Sequence, residues 1–127
     1  YSAGAAKFGA AGDFVTAPEL GALFAECIAE AFAPVLREIG EAAQFFEIGG
    51  GSGAFAGDAL SHLAALEATP ARYAILEPSA DLRERQRAHL QQRLPADLFA
   101  RVEWVDGPMP GDWQGVLFAN EVIDALS

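Results

Sequence analysis

The residues best suited to chemistry lie in one run, Glu47-Ile48-Gly49-Gly50-Gly51-Ser52-Gly53. It follows a short apolar stretch and precedes a helical one. In an open α/β sheet that is where ligands bind, beyond the carboxyl ends of the strands. Glycine lets the backbone approach a ligand with no side chain between them. A helix that starts just after the glycines presents unpaired N–H groups and the positive end of its dipole. Gly49, Gly51 and Gly53 are therefore candidate ligand-binding positions, and with Ala54 the run fits G-x-G-x-x-G/A. No Lys-Ser/Thr pair follows, so it is not a nucleoside-triphosphate P-loop.

Two acids narrow the ligand. Glu47 stands two residues before Gly49. A carboxylate there repels a pyrophosphate but suits an ammonium group. Glu77 closes the next apolar stretch, 24 residues after Gly53, and can accept hydrogen bonds from both ribose hydroxyls of an adenosine. Together the acids fit a nucleoside with an amino-acid tail and no phosphates, and S-adenosylmethionine is such a molecule. Asp106 follows the third strand and either accepts from the adenine amino group or is an ordinary loop acid. Metal chemistry has little to work with: Cys27, His62 and His89 are the whole cysteine and histidine complement. Cys27 reads as core. The two histidines read as surface residues without acidic partners, and Arg83, Arg85 and Arg87 as a solvated helix face.

The elements that must position these groups are legible in the pattern. Residues 1–15 are small and irregular, and Thr16-Ala17-Pro18-Glu19 has the spacing of a capping box. Leu20, Leu23, Phe24, Cys27, Ile28, Ala31, Phe32, Val35, Leu36 and Ile39 recur at helical spacing. Pro34 is expected to kink or split that helix, and Gly40 to end it. Strands are expected at 44–48, 72–76, 101–105 and 115–119. One helix, with Ala56, Ala59, Leu60 and Leu63 on its inner face, separates the first two. A second, capped by Ser79 and running to about Gln92, separates the next two, with Leu82 and Leu90 as its apolar residues. No helix is evident between the third and fourth strands. Strands alternating with helices imply an α/β fold with a mostly parallel sheet.

Composition agrees with one folded unit. The chain has 127 residues, is 52% hydrophobic, and carries 8 basic against 18 acidic residues for a net charge of −10. Such a surface repels nucleic acid and anionic membranes. No apolar run approaches the roughly 20 residues of a membrane span.

Four segments, in order, resemble the MidA-like family of S-adenosylmethionine-dependent methyltransferases. The first is Phe8-Gly9-Ala10-Ala11-Gly12-Asp13-Phe14-Val15-Thr16-Ala17-Pro18-Glu19, followed by the glycine run. Ile75-Leu76-Glu77-Pro78-Ser79, with Leu82-Arg83 and Gln86 after it, and Asn120-Glu121-Val122-Ile123-Asp124-Ala125-Leu126 complete the set, and Trp104 falls where the family places a tryptophan. Gly21, Ala25, Ala54 and Ser127 depart from the family pattern.

The resemblance implies a Rossmann-like methyltransferase fold, S-adenosylmethionine as cofactor, and a protein as methyl acceptor. The family's mitochondrial member is an assembly factor for respiratory complex I that dimethylates an arginine, so a respiratory-complex subunit is the candidate substrate. Mitochondria are the expected location for a eukaryotic member and the cytoplasm for a bacterial one. Asp13 and Thr16 would approach the cofactor from the side opposite the glycine loop. Glu121, with Asn120 or Asp124 assisting, would hold a guanidinium by paired hydrogen bonds and concentrate electron density on one nitrogen. The division expected is an N-terminal cofactor-side segment and helix at 1–43 and the first four strands of the sheet at 44–127. Further strands are expected after Ser127, with the first strand beside the fourth. Without them the fourth strand would be an open edge, available for pairing with a second copy. Two other readings remain at this point: an NAD-binding oxidoreductase half-domain, and a non-enzymatic assembly protein that keeps the cofactor pocket.

Overall fold

The computed structural model describes residues 18–49, 51–107 and 114–119, with side chains from residue 21 onward. The order of elements is α1 (Pro18–Ile39), β1 (Gln44–Ile48), α2 (Ala54–Ala65), β2 (Arg72–Leu76), α3 (Ala80–Arg93), α4 (Ala96–Phe99), β3 (Val102–Val105) and β4 (Gly115–Ala119). The four strands form one sheet in the order β3-β2-β1-β4, with every neighbouring pair parallel. The first strand does lie beside the fourth, as expected. The short α4 was not expected; its four residues are too few for a periodic signal.

Alternation along the strands divides the sheet into two unlike faces. Phe45, Tyr73, Ile75, Val116 and Phe118 point to one face and join the core with residues of α1 and α2. Phe45 stacks on Tyr73 at 4.8 Å and 5°, and Phe55 of α2 stacks on Phe118 at 4.8 Å and 15°. The opposite face carries Phe46 and Ala74, both buried, but Leu117 is 38% exposed. β4 is thus buried on the first face and open at Leu117 on the second.

α1 runs as one 22-residue helix, so Pro34 does not split it. Its buried residues, Ala25, Ile28, Ala29, Ala33 and Leu36, lock it against α2 and β4 on both sides of the proline. That packing outweighs the hydrogen bond lost at Pro34. Gly40 ends the helix with φ +90° and donates to the Leu36 carbonyl at 3.0 Å. The capping role of Thr16 and Glu19 lies outside the described residues and side chains.

The apolar stripe read from the sequence is wider than the face α1 buries. Leu23, Cys27 and Val35 are exposed. Cys27 is therefore not core, because at this register it falls a quarter-turn or more outside the Ala25–Ile28–Ala29 contact. His62 of α2 faces α1 and meets Glu30 at 2.9 Å, an acidic partner supplied by tertiary packing and invisible in linear spacing.

Candidate functional site

The site lies at the carboxyl ends of β1, β2 and β3. Gly49 donates to the Leu76 carbonyl at 3.0 Å and so extends the β1–β2 ladder by one step. The chain then turns into α2 through Gly49, Gly51 and Gly53, all with positive φ, at +79°, +56° and +92°. L side chains rarely adopt this conformation, so the local fold itself asks for glycine. Gly53 has a second reason: a Cβ there would stand 3.2 Å from the Gln86 Cα. At Gly51 a Cβ would meet nothing within 4 Å among the described residues, which leaves room for a ligand beside the loop.

Glu47 is fully buried at the end of β1. Tyr73, two positions back along the neighbouring strand, donates its hydroxyl to Glu47 Oε1 at 2.7 Å. Burial, reinforced by the negative charge of Glu47 and by this hydrogen bond, pushes the Tyr73 hydroxyl well above the usual tyrosine range. Tyr73 therefore stays a donor, and the carboxylate is held at a fixed place beside the loop. Burying such a group costs several kcal/mol unless it is partnered, which marks it as more than a chance strand residue.

Glu77 is 6% exposed rather than free at a strand end. Its Oε2 accepts from the Ser79 N–H at 3.2 Å and its Oε1 from Gln86 Nε2 at 3.1 Å. Ser79 also caps α3, accepting from the Leu82 N–H at 3.2 Å. Gln86, fully buried, donates from the same Nε2 to the Gly51 carbonyl at 2.8 Å and accepts from Trp104 Nε1 at 2.9 Å. One amide thus joins the glycine loop, the acid after β2 and β3.

Asp106 sits just past β3 with its side chain 98% exposed, 3.8 Å from Arg83 Nη1. Arg83 also donates to the Glu77 carbonyl at 2.9 Å, and the Arg87 guanidinium lies 4.4 Å over the Trp104 ring. These two arginines are not a plain solvated face: α3 turns them toward β3 and the site. Asp13, Thr16, Asn120, Glu121 and Asp124 lie outside the described residues.

Residue chemistry alone singles out neither Gln86 nor Tyr73, and Gln86 enters only through the family resemblance. For Gln86 a signal was present: with Leu82 and Leu90 it completes an i, i+4, i+8 stripe, so a polar residue occupies a core-facing position. For Tyr73 nothing in the linear sequence points to Glu47, because register across two strands makes the pair. Among the described residues no three His, Cys, Asp or Glu side chains come together as a metal site, and no helix is long and apolar enough to cross a membrane.

A parallel sheet with a glycine turn after β1, a buried acid before it and an oriented acid after β2 defines the class as an open α/β protein with a ligand-binding arrangement at the carboxyl ends of its strands. Comparison with known proteins is more specific. The model of a family described as "Putative S-adenosyl-L-methionine-dependent methyltransferase" matches residues 27–127, and the chain belongs to that family. The MidA-like resemblance is thereby borne out, and the oxidoreductase reading is set aside. Two solved structures from Burkholderia thailandensis are similar. One is a protein of the COG1565 superfamily, 43% identical with TM-score 0.73, the match covering 87% of this chain and 29% of that one. The other is a COG1565 superfamily member bound to S-adenosyl-homocysteine, also 43% identical with TM-score 0.73, covering 88% and 28%. The chain thus spans less than a third of these relatives' length. No curated protein matches.

Proposed function

We propose that this chain forms the cofactor-binding part of an S-adenosylmethionine-dependent methyltransferase whose acceptor is a protein, with arginine as the methylated side chain. The observation that carries the cofactor assignment is the pair of buried, oriented carboxylates on either side of a glycine turn. Glu47 suits the ammonium of the methionyl tail, the open side of Gly51 the tail itself, and Glu77 the ribose hydroxyls. Asp106 is the candidate for the adenine amino group, and Asp13 and Thr16 for contacts from the opposite side. A relative bound to S-adenosyl-homocysteine supports the same reading.

Methyl transfer is an in-line displacement at a sulfonium methyl, so the protein chiefly positions two reactants. For an arginine acceptor, Glu121 would orient the guanidinium, with Asn120 or Asp124 assisting. In sequence they follow β4, and β4 lies beside the strand that leads into the glycine turn, which supports that role. Incubation with methyl-labelled S-adenosylmethionine and a cell extract, followed by identification of the labelled residue, tests the acceptor. Glu121→Gln keeps shape and removes charge; cofactor affinity should stay near normal while methyl transfer falls by orders of magnitude. A labelled residue other than arginine, or full activity in the variant, refutes the acceptor assignment.

A further inference from the structure

We infer that Gln86 is the positioning residue that sets the ribose-binding carboxylate and ties it to the glycine loop, an inference that rests on the assignment of Glu77 to the ribose. An amide offers two N–H hydrogens and an acceptor oxygen. The surroundings of Gln86 ask for that set: two acceptors, the Gly51 carbonyl at 2.8 Å and Glu77 Oε1 at 3.1 Å, and one donor, the Trp104 indole N–H at 2.9 Å. Turning the amide over would set its oxygen against two acceptors and its NH2 against a donor, so the network fixes its orientation. Lysine could donate twice but could not accept from the indole. Asparagine at the same backbone position is a methylene shorter.

The result is a carboxylate with one protein donor on each oxygen, Gln86 on Oε1 and the Ser79 N–H on Oε2. A carboxylate has about four lone-pair positions, so each oxygen keeps one for a hydroxyl. Full burial of Gln86 and the close fit of its backbone beneath Gly53 leave it little freedom to move. Because the same Nε2 reaches Gly51, a loss at Gln86 is felt by the tail-binding loop as well as by Glu77. Gln86 itself is assigned no contact with the cofactor; it acts through its neighbours.

The test compares binding of S-adenosylhomocysteine with binding of its 2′,3′-dideoxy analogue, by calorimetry, in wild type, Gln86→Met and Trp104→Phe. Wild type should prefer the hydroxylated ligand. Gln86→Met keeps length and bulk but removes the hydrogen bonds. It should weaken S-adenosylhomocysteine by about tenfold or more, the scale of a hydrogen bond to a charged group, and weaken the dideoxy analogue by a smaller factor, the part that both ligands share through the Gly51 contact. Trp104→Phe leaves Gln86 in place and loosens only its orientation. It should reduce the preference several-fold in the same direction, which keeps the inference testable if Gln86→Met fails to fold. Equal weakening of both ligands marks a merely structural role and overturns the inference. So does an undiminished preference in Gln86→Met. If wild type itself shows no preference, the ribose assignment of Glu77 fails first and takes this inference with it.

Discussion

The two ends of the same parallel strands are built to different standards. At the carboxyl ends of β1 and β2, Glu47 and Glu77 are buried and hydrogen-bonded, and Gln86 satisfies two acceptors and a donor at once. At the amino ends, Gln44 Oε1 and Arg72 Nε are buried without a hydrogen-bond partner among the described residues. Arg72 Nε stands 2.6 Å from Glu103 Oε1, an ion pair lacking hydrogen-bond alignment whose acid is about half exposed. Backbone packing dominates there instead. A Cβ at Gly115 would overlap the Gln44 carbonyl, so this glycine serves strand approach and not a ligand. A buried polar network is costly unless every member is satisfied. Among the described residues the satisfied network lies at the carboxyl ends, which supports placing the proposed cofactor site there.

Four substitutions sharpen the contrast. The largest effect is expected from Gly51→Val. The side chain would enter the space above the loop, and φ near +56° strains a β-branched residue. S-adenosylhomocysteine should raise the melting temperature of wild type and leave that of this variant unchanged, measured where the variant is still folded. A retained shift would move the ligand away from the loop.

Gly115→Ala strikes the other end. It should cost about 3 kcal/mol, the upper range for overpacking, with S-adenosylhomocysteine affinity of the folded fraction intact. Denaturant unfolding and calorimetry together separate the two effects. A variant as stable as wild type would show that the strands do not approach as closely as described.

Tyr73→Phe removes one partner of Glu47 and should cost about 1.5–3 kcal/mol. It should also change the alkaline limb of stability. The folded-state value of Tyr73 is raised, so below the ordinary value of about 10 both folded and unfolded chains hold the proton. Above it the unfolded chain releases the proton while the folded chain keeps it, and wild-type stability falls. Denaturant titration at rising pH should show that decline steeper in wild type than in Tyr73→Phe; identical slopes would detach Tyr73 from the network. The smallest effect belongs to Glu103→Ala, within about 1 kcal/mol for a half-exposed ion pair and with no change in ligand affinity. A loss of affinity in this variant would break the contrast between the ends.

How much of the site was legible follows from what makes each part. The glycine turn was readable because its residue type and its conformation are the same fact: positive φ selects glycine at 49, 51 and 53. Glu47 and Glu77 were readable because each adjoins a strand end. Their burial and partners were not, since these come from neighbouring elements. The identity of Tyr73 as the Glu47 donor depends on β1–β2 register, and the pairing of His62 with Glu30 depends on how α2 packs on α1.

The sequence by itself determined the succession of strands and helices, the position of the glycine turn and the sign of the charges beside it, because periodicity, turn chemistry and residue type act over a few neighbouring residues. Only the tertiary structure decided which face of α1 is buried, why Cys27 is exposed and Pro34 tolerated, and how Gln86 comes to hold Glu77, Gly51 and Trp104 together. Those outcomes depend on contacts between residues far apart in the chain, 35 positions from Gly51 to Gln86, and on burial that makes each unsatisfied polar group costly.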